Sequence, residues 1–444
     1  MDKTQIKSFE VFGLFGTDDI MIPFNEDGIK ILIGENGLGK TQILNLFYYT
    51  LTANFFRLSD FKFLKLKLSF TNNRTIEISK KEINELIEKM YNQPLVKEFI
   101  NEFGISQFEF LRQKYQTNRD NYHNYIEKNE YRRKFPTFRL SRMFEELETV
   151  NLFSSSLEKL KIDIAKILKN IDILYFPTYR RVEEDLFNFG YEEDELNFNA
   201  ENTLIQFGME DVKKRFSKTQ NAIDKLLKEG LAQFTKDILK VVITDESITN
   251  DSVQLLNKIT DDDIDIILSR VGNLLPDNQK KSVRDMVAKK EIKNPLSIYL
   301  LQKLIDIYEK QKELDKSVKD FRDACNTYLI GKEVFYDESE IKIYIKSKRT
   351  KDEIDLKYLS SGEKQIISMF SKVYLSEADK RFYILFDEPE LSLSMLWQKT
   401  LLPNILKSNK CDFLLAVTHS PFIFDNDLDK YAIGLNEYVK PLNL

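Results

Sequence analysis

The stretch Gly34-Glu35-Asn36-Gly37-Leu38-Gly39-Lys40-Thr41 matches the pattern G-x-x-x-x-G-K-[ST]. It follows a short apolar run, Ile29 to Ile33, and opens a segment, Lys40 to about Phe56, with apolar residues near helical spacing. When a strand passes through such a turn into a helix, backbone N–H groups point toward an anion at the positive helix end. A plain glycine-rich turn before a core helix is the alternative, but pattern and context together favour a phosphate-binding loop.

The side chains of this loop have expected roles toward a nucleotide. Lys40 should reach the β- and γ-phosphates, and the Thr41 hydroxyl should bind Mg²⁺. The residues of this segment expected to contact the nucleotide are Asn36, Gly37, Gly39, Lys40, Thr41 and Gln42. The residue that stacks on adenine is not defined by the pattern, and Phe12 and Phe15 are the aromatic candidates.

A second apolar run, Phe382 to Phe386, ends in the adjacent carboxylates of Asp387 and Glu388. Both carboxylates therefore stand at the carboxyl end of a predicted strand, where α/β sheets bind ligands. Asp387 is expected to hold Mg²⁺, directly or through water, and Glu388 to polarise the attacking water as general base. The alternative is an acidic turn after a buried strand, which the phosphate-binding loop elsewhere in the chain disfavours.

Two further segments offer groups that suit a nucleotide site. Leu359-Ser360-Ser361-Gly362-Glu363 presents hydroxyls and backbone donors at a helix start, although these residues by themselves favour an ordinary N-cap at Ser361. His419, one of only two histidines, follows the last apolar strand. A neutral imidazole there could bond the γ-phosphate or the attacking water, whereas a lone histidine is more often structural. Its position at a strand end favours the functional interpretation.

Composition narrows the class of protein. With 444 residues, the chain has room for two or three domains. The net charge of −5 gives no global sign of nucleic-acid binding, so such a site would have to be a local patch. Cys325 and Cys411 fit no disulfide or zinc spacing, and no apolar run is long enough to cross a membrane. We therefore expect a cytoplasmic protein without a membrane segment.

Strand and helix patterns divide the chain into two α/β ends and a helical middle. Apolar or alternating runs predict strands at Ile6–Phe12, Ile20–Phe24, Ile29–Ile33, Leu64–Phe70, Thr75–Ser79, Ile171–Phe176, Ile341–Ser347, Arg381–Phe386 and Asp412–Val417. Besides the helix from Lys40, helical spacing predicts helices at Pro295–Cys325, Gly362–Tyr374 and Leu393–Leu406. Strands that alternate with helices imply a parallel α/β sheet.

The order of these motifs resembles an ABC-type ATPase head. LSSGEKQ (359–365) is similar to the ABC signature, FDEPE (386–390) to the Walker B segment, LSLS (391–394) to the D-loop, and THS (418–420) to the His switch. The resemblance covers about residues 1–80 and 330–444. It implies an α/β P-loop ATPase head formed by both chain ends, with a large and partly coiled-coil helical insertion, and slow, Mg²⁺-dependent ATP hydrolysis.

The resemblance also implies a division of the chain and a composite site. Head lobes are expected at 1–80 and 331–444, a head strand and loop at 171–186, and helical insertions at 81–170 and 187–330, the second with a dimerisation region. In this family the signature serine, here Ser360, contacts the γ-phosphate held by the other subunit. Ser360 and Gly362, with Ser361 and Glu363 beside them, would thus act on ATP bound to a second copy, so at least a dimer is implied. Ser361 stands where the family usually has glycine.

Within ABC heads, the long insertion resembles the SMC, RecF and OLD branch rather than transporter subunits. The stretches GENGLGKT, FPTYRR, DEPELSLSMLWQ and THSPF resemble stand-alone ATPases of bacterial antiphage systems of the Septu and PARIS types. Ser392 and Ser394 depart from many OLD-type heads, which have histidines there. Only 25 residues follow His419, too few for a Toprim domain. The expected nuclease partner, of HNH or Toprim type, would therefore be a separate protein.

Two basic segments have open interpretations. Arg180 and Arg181 in FPTYRR could stabilise phosphate charge or couple the insertion to the nucleotide, or they could be surface arginines paired with Glu183 and Glu184. Lys114 to Arg142 interleaves arginines with aromatic residues, as a nucleic-acid site would, but acids dilute it. A solvated helical face or a protein-docking surface is the favoured interpretation of that segment.

Two functions are consistent with the sequence. The first is a switch ATPase that scaffolds and restrains a separate effector nuclease in antiphage defence, which predicts a nuclease gene beside this one. The second is a DNA-repair or chromosome-maintenance ATPase, similar to RecF or SMC, which predicts strong, salt-dependent DNA binding by this chain alone.

Overall fold

The computed structural model describes residues 6–34, 39–105, 107–108, 111–112, 115, 135–152, 156–177, 209–244, 261–271, 276–288 and 295–442. The chain forms two compact units, one of Met1–Gln206 with Lys380–Leu444 and one of Phe207–Asp379. Both chain ends therefore enter the first unit, and the second is built from the middle of the chain. No helix among the described residues is long and apolar enough to cross a membrane.

The described secondary structure alternates between strands and helices at both chain ends. The strands are β1 (Ile6–Leu14), β2 (Asp18–Pro23), β3 (Ile29–Ile33), β4 (Lys65–Phe70), β5 (Thr75–Ser79), β6 (Ile171–Phe176), β7 (Lys332–Asp337), β8 (Lys342–Ser347), β9 (Glu353–Ile354), β10 (Arg381–Asp387), β11 (Cys411–Thr418), β12 (Ala432–Gly434) and β13 (Val439–Pro441). The helices are α1 (Lys40–Leu51), α2 (Phe55–Leu58), α3 (Lys80–Tyr91), α4 (Pro94–Phe103), α5 (Thr137–Leu152), α6 (Ser156–Ile167), α7 (Met209–Thr244), α8 (Asp261–Arg270), α9 (Asp277–Ala288), α10 (Pro295–Asn326), α11 (Ser361–Tyr374) and α12 (Met395–Lys407).

Two five-stranded sheets form the first unit. One sheet is antiparallel, in the order β13-β2-β1-β4-β5, and the other is parallel, in the order β12-β3-β11-β10-β6. The central strands β10 and β11 are buried along most of their length, and this explains their nearly continuous apolar sequences. The prediction of an α/β head made by both chain ends around a helical insertion is confirmed.

Helix α1 packs in the core between the two sheets. Phe47 of α1 is fully buried, and its ring lies 5.0 Å from Phe9 of the antiparallel sheet and 5.7 Å from Phe413 of the parallel sheet. These aromatic contacts hold the helix that follows the phosphate-binding loop. The prediction that this helix continues to Phe56 was wrong, because it ends at Leu51. Ala53 has a positive φ of 50°, which breaks the helix before α2 begins.

The second unit contains the long helices and a small sheet. Helices α7 and α10 pack against each other so closely at Gly230 that a Cβ atom there would lie 2.6 Å from Ile307. Strands β7, β8 and β9 form an antiparallel sheet, of which only β8 was predicted. Beneath the surface, Arg270 of α8 donates to Asp315 of α10 at 2.7 Å, and the two side chains are 1% and 2% exposed. This buried ion pair joins α8 to α10 within the second unit.

Candidate nucleotide-binding site

Three neighbouring strands bring the predicted motifs to one edge of the parallel sheet. Strand β11 lies between β3 and β10, with Thr418 opposite Ile33 and Val417 opposite Asp387. Since the three strands are parallel, the loop that begins at Gly34, the carboxylates after β10 and the histidine after β11 share this edge. Segments more than 370 residues apart in sequence thus meet, as the contact between Lys40 and His419 shows.

Lys40 is the central cation of this edge and is 6% exposed. Its Nζ atom donates to the carbonyl oxygen of Gly34 at 2.6 Å and lies 2.6 Å from Nε2 of His419. Burial lowers the pKa of Lys40 below its usual range, whereas the nearby charges of Glu388, Asp387 and Glu390 act in the opposite direction. The Lys40 ammonium therefore lies among three acidic side chains. As a buried cation at this edge, it could also bind phosphate oxygens.

The Thr41 hydroxyl donates to Oδ1 of Asp387 at 3.0 Å. This contact joins the start of α1 to the end of β10 and sets two hard oxygen ligands side by side. Among the described residues, no group of three or more histidine, cysteine, aspartate or glutamate side chains is arranged to hold a metal ion. One carboxylate and one hydroxyl match Mg²⁺, which usually takes few protein ligands and completes its shell with water and substrate phosphates.

Glu388 has an unusual backbone conformation, with φ of 50°. Its N–H donates to the carbonyl oxygen of Val417 at 2.9 Å, and this bond helps to hold the left-handed turn after β10. The Oε1 atom of Glu388 lies 3.3 Å from Nε2 of His419, and the side chain is 23% exposed. Strained non-glycine residues concentrate at functional sites. The strain here aims a partly solvated carboxylate at the edge where Lys40 and His419 meet.

The turn that bears His419 is held by two side chains that the sequence analysis missed. Oε1 of Glu390 accepts the N–H of His419 at 2.8 Å and that of Ser420 at 3.2 Å. Gln398 of α12 accepts the Ser420 hydroxyl at 2.5 Å. Glu390 belongs to the FDEPE stretch, and its place in that motif was the only feature of the sequence that pointed to it. Nothing in the sequence indicated that it binds the turn at His419.

Not every predicted residue falls within the described part of the chain. Gly39 precedes α1 with φ of 74°, a left-handed conformation that suits glycine, and Gln42 is half-buried on α1. A Cβ atom at Gly39 would lie 3.3 Å from the Phe15 ring, so this candidate for adenine stacking borders the loop. Residues 35–38, with Asn36 and Gly37, and residues 178–208, with Arg180, lie outside the described residues.

The signature segment lies in the second unit, at the start of α11. Its N-cap is Ser360, not Ser361 as predicted, because the Ser360 hydroxyl accepts the N–H of Glu363 while Oε2 of Glu363 accepts the N–H of Ser360 at 2.8 Å. Lys332 also donates to Glu363, at 2.8 Å. Burial opposes ionisation of Glu363, yet Lys332 and Ser360 together lower its pKa below the usual range. The segment is thus a rigid, charged helix start.

The basic segment Lys114 to Arg142 is described only in part. Arg139 donates to both carboxylate oxygens of Glu98, at 3.1 and 2.8 Å, and Arg142 donates to Glu146 at 2.8 Å. Phe135 is 1% exposed and so belongs to a core. The two arginines are paired with acids at the surface, as on a solvated helical face, whereas Phe135 is part of a core. Lys114 and residues 116–134 of the segment lie outside the described residues.

Comparisons with known proteins agree with this geometry. Residues 5–424 match a protein-family model described as an AAA ATPase domain. The chain therefore belongs to this family of ATPases. No curated protein matches it significantly.

Several solved structures are similar at low identity. An Smc head domain with an extended coiled coil, bound to the C-terminal domain of ScpA and derived from Pyrococcus furiosus, is 14% identical, with 95% of this chain and 91% of that chain covered and a TM-score of 0.37. An Smc head bound to the C-winged helix domain of ScpA is 11% identical, with 99% and 98% covered and a TM-score of 0.36. An Smc head with a coiled coil and joint from Pyrococcus yayanosii is 14% identical, with 95% and 93% covered and a TM-score of 0.33.

Replacing Lys40 with alanine is expected to abolish tight ATP binding, because the loop loses its buried cation beside Gly34 and His419. Calorimetric titration with ATP measures this directly. Lys7→Ala, a change of an exposed lysine on β1, is the matched control and should leave the affinity unchanged. If Lys40→Ala and the parent chain bind ATP with equal affinity, Lys40 does not contribute to ATP binding.

Proposed function

We propose that this chain is a slow, Mg²⁺-dependent ATPase that works as a homodimeric or larger switch and controls a separate effector nuclease in bacterial antiphage defence. Membership of the ATPase family supports hydrolysis of ATP. The observation that supports the site most directly is the cluster formed by Lys40, Glu388 and His419 beside the Thr41–Asp387 pair. The resemblance to Septu and PARIS ATPases supports the biological role.

Each side chain of the cluster has a task in this proposal. Lys40 holds the β- and γ-phosphates, and Phe15 stacks on adenine. Thr41 and Asp387 hold Mg²⁺, which when bound neutralises charge on the phosphate oxygens. Glu388 accepts a proton from the attacking water, and its partial exposure leaves water access to the carboxylate.

His419 is suited to report on the occupant of the site. When the Lys40 ammonium, 2.6 Å away, donates to Nε2, that atom is the acceptor and the ring proton is on Nδ1. Nε2 cannot accept from Lys40 and donate to Glu388 at the same time. When Lys40 turns to a phosphate, Nε2 is released to bond the phosphate, the water or Glu388. The same atom thus serves different partners before and after nucleotide binding.

The insertion is mechanically linked to the signature helix within the second unit, which supports the switch role. Along α7, Arg215 donates to Ser371 of α11 at 2.9 Å, and Lys218 donates to Glu377, just after α11, at 3.0 Å. Helix α10 also packs on α11. If Ser360 at the start of α11 engages ATP on a second copy, α7 and α10 must follow its movement. A partner bound to the insertion would then sense the nucleotide state.

Expression from the native operon tests the biological role. We expect a complex larger than a dimer with a nuclease encoded beside this gene, and no cleavage of DNA or RNA by the purified chain with Mg²⁺ and ATP. Copurification, mass measurement and a nuclease assay check this, with Glu388→Gln as the ATP-trapped comparison. Nuclease activity of this chain alone that survives Glu388→Gln and repeated purification would contradict the division of labour. Tight, salt-dependent duplex binding without any partner would instead favour the DNA-repair function.

A further inference from the structure

Glu390 is a buried carboxylate beside the proposed catalytic groups that has no part in the chemistry described above. It is 8% exposed and lies two residues after Glu388. One oxygen, Oε1, accepts two consecutive backbone N–H groups, those of His419 at 2.8 Å and Ser420 at 3.2 Å. The other oxygen, Oε2, is buried and has no hydrogen-bond partner among the described residues. A single oxygen of Glu390 therefore binds the turn that bears the imidazole.

The same turn has a second attachment. The Ser420 hydroxyl donates to Oε1 of Gln398 at 2.5 Å, while Nε2 of Gln398 donates to the carbonyl oxygens of Leu393 at 2.9 Å and Glu390 at 3.4 Å. Gln398 is itself 8% exposed. Two buried side chains, Glu390 after β10 and Gln398 in the first turn of α12, thus hold the segment after β11 by hydrogen bonds. These bonds hold the backbone of the turn but not the imidazole itself, whose Nε2 atom lies 2.6 Å from Nζ of Lys40 and 3.3 Å from Oε1 of Glu388.

We propose that Glu390 is a positioning residue, which fixes the His419 imidazole against Glu388 and the phosphate-binding lysine and acts on ATP hydrolysis through that histidine. This inference rests on the proposed role of His419 in hydrolysis. A charged acceptor forms stronger bonds to N–H groups than a neutral one, and a misplacement of about 1 Å can reduce catalysis about 10²-fold. Glu390 binds the backbone N–H of His419 and not the imidazole, so its proposed effect on hydrolysis is exerted through the position of the ring.

The first test compares three variants by steady-state hydrolysis and ATP titration. Glu390→Met, which fills the volume but accepts no hydrogen bond, should lower kcat about 10- to 100-fold and leave ATP affinity within about threefold. Glu390→Gln keeps an acceptor oxygen and should restore at least about a third of kcat. Asp337→Ala is the matched control, since Asp337 also accepts two backbone N–H groups, of Ser339 at 3.0 Å and Glu340 at 3.1 Å, but in the other unit. It should have unchanged kcat.

A double-mutant cycle decides whether Glu390 acts through His419. In a His419→Ala background, Glu390→Met should lower kcat by less than about threefold, since the imidazole that Glu390 positions is absent. If the fold-losses in kcat of the two single variants multiply in the double variant, the two residues act independently and the proposal is overturned. So would equal activity of Glu390→Met and the parent chain. A His419→Ala variant with parental kcat would instead refute the role of His419, whatever Glu390 does.

A spectroscopic test does not depend on hydrolysis. The chain has only two histidines, His123 and His419, so selective imidazole labelling gives two NMR signals, which His419→Ala assigns. Glu390→Met should shift or broaden the His419 signal and leave that of His123 unchanged, and Asp337→Ala should move neither. If Glu390→Met does not fold, Glu390→Ala is measured in its place. A folded variant whose His419 signal is the same as in the parent chain would refute the proposal.

Discussion

Replacing Glu388 with glutamine is expected to stop ATP turnover while ATP stays bound. The amide keeps the shape of the carboxylate, so the turn held by the bond from its N–H to Val417 should persist. What is lost is the base, 3.3 Å from His419, that accepts a proton from the attacking water. Removing a general base typically lowers the rate about 10²-fold or more. The variant should therefore accumulate in its ATP-bound, closed assembly.

Single-turnover hydrolysis and ATP titration measure the two parts of this prediction separately. Glu77→Gln is the matched control, because Glu77 is a solvent-exposed acid on β5 of the same unit, paired with Lys65 at 2.5 Å. It should hydrolyse ATP at the parental rate, since surface ion pairs contribute little. If turnover of Glu388→Gln stays within about threefold of the parent chain, Glu388 is not the general base.

The parts of the fold that sequence predicted are those with strong local signals. Strands β3, β5 and β6 begin and end at the predicted residues, because apolar runs or strict alternation mark them and polar or turn residues bound them. The phosphate-binding loop and the acids after β10 were recognisable for a similar reason. Their pattern is local, and the parallel sheet then brings them together.

The features that sequence did not predict depend on tertiary contacts or on a choice among equivalent residues. Glu390 is one acid among many until the fold places it against a turn 29 residues further along the chain. Ser360 and Ser361 can each cap a helix, and Lys332, which binds Glu363 from β7, favours the register that starts at Ser361. Strand β7 itself is short, and its pairing with β8 stabilises it more than its own pattern does.

Mixing two inactive chains should restore ATPase activity if Ser360 acts on ATP held by a second copy. Lys40→Ala destroys the phosphate-binding side of a site, and Ser360→Arg destroys the signature side. In a mixed dimer, the intact Lys40 of one chain meets the intact Ser360 of the other, so one of two sites is complete. With random exchange and independent sites, about a quarter of the parental activity should return. Mass measurement of tagged chains verifies that mixed dimers form.

The controls for this experiment follow from the structure. Ser360 caps α11, and losing a cap costs about 1 kcal/mol, so the thermal midpoint of Ser360→Arg must be compared with that of Ser360→Asn, which keeps a capping side chain. A mixture of Lys40→Ala with Glu388→Gln must stay inactive. His419 contacts both residues, so both damage the same half of a site, and exchange cannot separate the two lesions. Recovery in the first mixture alone indicates action in trans, whereas no recovery despite mixed dimers would exclude Ser360 from the partner's site.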